Sequence, residues 1–97
     1  MNGGGQMSDE ELLEKVKLTL GITGEFQDAT LGTYIEEVKQ YLADAGVKEA
    51  VIESKYAAGA IARGVADLWN YGSGSAALSN YFKERTIQLC YKGDEDV

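Results

Sequence analysis

The sequence predicts an all-α fold: a single small bundle of about four helices, with a long central helix rich in alanine and glycine. Three observations predict it. Apolar residues recur at spacings of three and four through most of the 97 residues, which is the period of a helix face. No segment reads as a strand. Glycines and a capping box punctuate the periodic segments where helices of ordinary length would start and stop.

The first helix opens at Ser8 with Glu11 three residues on, the pattern of a capping box. Asp9, Glu10 and Glu11 suit the positive end of the helix dipole. Leu12, Leu13, Val16 and Leu20 form one apolar stripe, with Lys15 and Lys17 off it, and Gly21 is the stop. In the loop that follows, residues 22–27, Ile22 and Phe26 are expected to anchor in the core. Asp28 or Thr30 caps a second helix. Its apolar positions are Leu31, Tyr34, Ile35, Val38, Tyr41, Leu42 and Ala45. Glu36, Glu37, Lys39, Gln40 and Asp44 take its other face, and Gly46 ends it.

The third helix is expected to run unbroken from about Glu49 to Tyr71, roughly 30 Å at ~1.5 Å per residue. Ala57, Ala58, Gly59, Ala60, Ala62, Gly64 and Ala66 keep it thin. Gly59 and Gly64 each cost ~1 kcal/mol relative to alanine in a helix. Close approach of a neighbouring element is the expected compensation. Ile52, Tyr56, Ile61, Val65, Leu68 and Trp69 supply the larger packing groups. Residues 72–75, Gly-Ser-Gly-Ser, read as a flexible connector. Ser75 caps a fourth helix over about Ala76 to Lys92, carrying Leu78, Tyr81, Phe82, Arg85, Ile87 and Leu89, with Gly93 as its stop. The organisation is then an N-terminal arm over 1–7, a helical domain over 8–92 and an acidic flexible tail over 93–97. The glycine-rich start, residues 1–6, reads equally as a native arm or a cloning remnant, and it lacks the basic and apolar regions of a signal peptide.

Composition narrows the function. With no histidine and a single cysteine, Cys90, there is no Cys/His zinc set, no His-based triad and no intrachain disulfide. Sixteen acidic against nine basic residues, a net charge of −7, argue against tight binding to a phosphate backbone. The most apolar segment, residues 51–69, carries Glu53, Lys55, Arg63 and Asp67, so no membrane span is expected. Gly72-x-Gly74 lacks the preceding strand and the lysine of a phosphate loop and reads as a connector. Cys90 has no base to activate it and reads as a partly buried structural thiol. No cofactor, metal or catalytic residue is expected.

The remaining candidates concern contact. Trp69, Tyr71, Tyr81 and Tyr91 cluster late in the chain. Such residues either bury rigid area at an interface or pack the third helix on the fourth. Tyr34, Tyr41 and Tyr56 belong to the core or its edge. Arg63 either pairs with Asp67 one turn on or reaches a neighbouring subunit. Arg85 joins this interface set. Glu36, Glu37 and Asp44 form a solvated acidic face, and Asp94, Glu95 and Asp96 form a polar tail suited to docking.

The order of these features carries a resemblance. An acidic-capped helix reads Glu11-Leu-Leu-Glu-Lys-Val-Lys-Leu-Thr-Leu-Gly-Ile. An Asp28-led helix follows, ending in Asp-Ala-Gly-Val. A long alanine-rich helix then exits through Asp67-Leu-Trp-Asn-Tyr-Gly, and a last helix contains Tyr81-Phe. From about Glu10 to Lys92 the chain resembles the small head–tail connector (head-completion, adaptor) proteins of tailed bacteriophages and prophages. The alanine and glycine density of the third helix departs from that pattern.

The resemblance implies a non-enzymatic virion assembly protein. It implies a homo-oligomeric ring matching a twelvefold portal and extending the DNA channel. The implied partners are other copies of the chain, the portal protein and a stopper or tail-completion protein, with DNA passing through unbound. The implied location is the head–tail interface of a virion assembled in the bacterial cytoplasm. Under it, Glu36, Glu37 and Asp44 line the channel, the tail docks on the portal, and Arg63, Trp69, Tyr71, Tyr81, Arg85 and Tyr91 serve subunit or portal contacts. The alternative is a small helical regulator that binds a partner protein through its aromatic surface.

Overall fold

The computed structural model describes residues 6–72 and 75–95. Helix α1 spans Asp9–Leu20, α2 Asp28–Asp44, α3 Glu49–Ile52, α4 Lys55–Tyr71 and α5 Asn80–Glu95, with a 3-10 turn at Ser75–Ala77. No named strand occurs among the described residues. Helix α4 packs against every other helix and is the axis of the bundle. Its buried face is built of Ala57, Ala58, Ala60, Ile61, Ala62, Gly64, Val65 and Leu68. Small side chains there let several neighbours approach one helix.

Local signals set the ends of α1. The Ser8 hydroxyl accepts the Glu11 N–H, and the Glu11 carboxylate accepts the Ser8 N–H, both at 3.0 Å. These two bonds hold the Glu11 carboxyl below its usual range. Gly21 takes a left-handed φ of 72°, a conformation that costs glycine nothing.

The expected long third helix is two elements. Its break falls at Ser54, whose extended backbone (φ −93°, ψ 167°) starts a new helix. The Ser54 hydroxyl accepts the Tyr56 N–H at 3.2 Å and donates to the Val51 carbonyl at 2.6 Å. One buried side chain thus closes α3 and opens α4. The N-terminal segment docks at the same corner. Met7 donates its N–H to the Glu53 carbonyl at 2.9 Å, and Gln6 pairs with Ser54 in an isolated bridge.

Four other expectations change. Phe26 is 97% exposed, not a core anchor. Lys17, placed off the apolar stripe by spacing, is buried, and its Nζ lies 2.8 Å from Asp28 Oδ1. That bond holds the Lys17 amine above its usual range. Asp28 is thereby committed to a tertiary ion pair, and α2 begins at Gln27 without a side-chain cap. At the far end, α5 runs through Gly93 to Glu95, since glycine stops a helix where the chain must turn and no element follows.

Gly59 and Gly64 also divide. A Cβ on Gly64 would lie 2.8 Å from Phe82 Cε1 and 3.0 Å from Val38 Cγ1, whereas one on Gly59 would meet nothing. Close approach therefore explains Gly64 alone. Phe82 is fully buried there, and its ring lies 5.5 Å from that of Tyr41. The Phe82 ring thus ties α5 to both α4 and α2.

Candidate assembly surfaces

The connection from α4 to α5 positions the aromatic residues. Asp67, on the buried face of α4, accepts the Ser79 N–H at 2.9 Å. Ser79 in turn accepts the Phe82 N–H at 3.2 Å and so caps α5, a role the spacing assigns to Ser75. Arg63 Nε lies 3.4 Å from Asp67 Oδ1, and its guanidinium sits 5.0 Å from the centre of the Tyr81 ring. Arg63, Asp67, Ser79 and Tyr81 are thus one cluster at the start of α5. The sequence pairs Arg63 with Asp67; the Ser79 partner, twelve residues on, has no local signal.

The late aromatics do not share one surface. Trp69 is half-buried and meets Tyr34 edge-on, ring centres 6.3 Å apart, so it joins α4 to α2. Tyr71, Tyr81 and Tyr91 are 75%, 54% and 64% exposed, and Ile87 is 57% exposed. Tyr34, Tyr41 and Tyr56 pack against the core edge as expected. Arg85 hydrogen-bonds to Gln88. Cys90 is half-buried, its thiol 3.6 Å from the Ala45 carbonyl.

The acidic candidates lie along the outer ridge of α2, between two hollows. One hollow, about 400 Å³, is lined by Asp9, Glu36, Lys39, Glu49 and Glu53 among others. Lys39 stands in it, mostly buried, its Nζ 3.4 Å from Glu53 and 3.5 Å from Asp9. The other, about 300 Å³, has Val38, Tyr41, Leu68 and Leu78 in its wall, with Glu37 and Asp44 beside them. Asp44 accepts from the Gln40 amide at 2.9 Å. Of the tail candidates, Asp94 and Glu95 belong to the end of α5, and Asp96 lies outside the described residues.

Among the described residues no group of histidine, cysteine, aspartate and glutamate is placed to hold a metal ion. No helix there is long and apolar enough to cross a membrane.

A helical bundle with exposed aromatics on one side and an acidic ridge on another is a module for protein contact. The family model of phage gp6-like head-tail connector proteins matches residues 10–90, nearly the span over which the sequence itself carries that resemblance. The chain belongs to this family, and its role is structural, in the phage virion at the head–tail junction. No curated protein and no solved structure matches it.

Proposed function

We propose that the protein assembles as a ring at the portal vertex of a filled head, joins head to tail and extends the DNA channel. Family membership over most of the chain carries this reading. The exposed Tyr71, Tyr81, Ile87 and Tyr91 supply contact area of the kind that repeated subunit interfaces use. The portal protein and a downstream stopper or tail-completion protein are the partners, and twelve copies match the portal. Assembly takes place in the bacterial cytoplasm.

Glu36, Glu37 and Asp44 face the channel. A net charge of −7 per copy summed over a ring repels DNA, which carries one negative charge per ~1.7 Å of axis, so the duplex slides without sticking. The end of the chain, including Asp94, Glu95 and Asp96, docks on the portal.

Purified protein mixed with portal-bearing, connector-deficient heads tests the reading. Stable loading in a fixed copy number and restored tail joining are expected. A chain that neither loads nor restores joining overturns it. Two variants test the parts. Glu36→Lys with Glu37→Lys slows DNA ejection if these residues face the duplex. Deleting residues 93–97 weakens loading if the tail is the anchor, while the helical content stays within a few per cent of the parent.

A further inference from the structure

We propose that neighbouring copies join head to tail through the outer stripe of α5, seated in the apolar hollow beside α2 of the next copy. The inference rests on the ring assembly above and names the two surfaces that meet in it.

The stripe is Lys83, Ile87 and Tyr91, four residues apart, on the side of α5 opposite the buried Phe82, Thr86 and Leu89. Ile87 and Tyr91 are each more than half exposed. Two apolar groups one turn apart and facing solvent have no role within a single copy. The hollow offers an apolar wall at Val38, Tyr41, Leu68 and Leu78, room for about 300 Å³, and carboxylates at Glu37 and Asp44. Those two acids lie roughly 10 Å apart along α2, at ~1.5 Å per residue, and the stripe spans roughly 12 Å along α5. This is the match of an amphipathic helix to a groove.

Charge selects a second copy as the occupant. Residues 8–53 hold eleven acidic and four basic residues, whereas residues 55–92 hold five basic and two acidic. One of those two, Asp67, is buried. The protein is thus an acidic half joined to a basic one, and complementary potentials both steer and register an encounter. Stripe against stripe would leave the hollow empty and gain nothing from this asymmetry. Stripe against hollow sets Lys83 toward Glu37 and Asp44. The two surfaces share no residue, so the contact is heterologous. It leaves one free surface of each kind at the ends of any row of copies, and ends only when a ring closes.

The test uses two full-length variants, both altered at solvent-facing positions and checked by circular dichroism. The stripe variant is Ile87→Asp with Tyr91→Asp. The hollow variant is Glu37→Lys with Asp44→Lys. Self-association is measured by sedimentation, and loading is measured on portal-bearing heads. Each variant alone is expected to lose at least about tenfold in self-affinity and to load no complete ring. Mixed one to one, the variants are expected to form a dimer that grows no further, because one intact stripe meets one intact hollow. Adding Lys83→Glu to the hollow variant is expected to restore assembly within one chain. A stripe variant that assembles and loads like the parent overturns the surface assignment and leaves the ring standing. The same holds if two monomeric variants fail to pair. A parent chain that neither self-associates nor loads overturns both.

Discussion

Asp67 on α4 accepts the backbone N–H of Ser79, 2.9 Å away, and so holds the start of α5 to the axis of the bundle. Asp67 is 4% exposed, and its other oxygen faces Arg63. A buried carboxylate bonded to a backbone N–H is worth about 1.5–3 kcal/mol. Asp67→Ala should lower the urea-unfolding free energy by about that much. Asp67→Asn should lower it less, because an amide oxygen still accepts and the half-exposed Arg63 pair contributes under ~1 kcal/mol. An alanine variant within ~0.5 kcal/mol of the parent would show that the bond does not hold α5.

The two α4 glycines should respond in opposite directions. Gly59→Ala adds a methyl to open space and should stabilise by up to about 1 kcal/mol through helix propensity. Gly64→Ala drives a Cβ into Phe82, a side chain that cannot yield. Overpacking of about 1–3 kcal/mol should exceed the propensity gain. Thermal melts of the pair decide it; equal shifts would refute the close approach.

Ser54 carries the α3–α4 corner through two hydrogen bonds. Ser54→Ala should cost about 1–2 kcal/mol, at the upper end for a lost cap because the site is buried. Ser54→Asp restores an acceptor for the Tyr56 N–H but not the donor to Val51, and should recover only part of the loss in chemical denaturation.

Stability should fall at both pH extremes, for opposite reasons. The Lys17 amine is raised by its bond to Asp28. Its contribution is complete below the unfolded lysine value of 10.5 and is lost as pH rises through the higher folded value. The Glu11 carboxyl is lowered by its bonds to Ser8. Its contribution is present above the unfolded value of 4.5 and is lost as pH falls through the lower folded value. Unfolding curves against pH should lose alkaline sensitivity in Asp28→Asn and acid sensitivity in Ser8→Ala. Unchanged slopes would remove these two groups from the linkage.

Phe26 is almost wholly exposed, so Phe26→Ser should alter stability by under ~0.5 kcal/mol. A drop above about 2 kcal/mol would restore the core anchor that its spacing from Ile22 suggests.

The sequence by itself determined the helices, the box at Ser8 and Glu11, the stop at Gly21 and the central place of the alanine-rich segment. Each depends on residues within about one helical turn, or on a composition suited to close packing. The order of those helices was enough to carry the family resemblance. Only the tertiary structure decided that Lys17 is buried on Asp28, that Gly64 and not Gly59 meets a neighbour, and that Asp67 reaches Ser79. It also divided the late aromatics into Trp69, which joins two helices, and Tyr71, Tyr81 and Tyr91, which face outward. Periodicity reports which residues share a face of one helix. It cannot report which other helix lies against that face, because the partners stand eleven to forty-five residues away in the chain and meet only when the bundle closes.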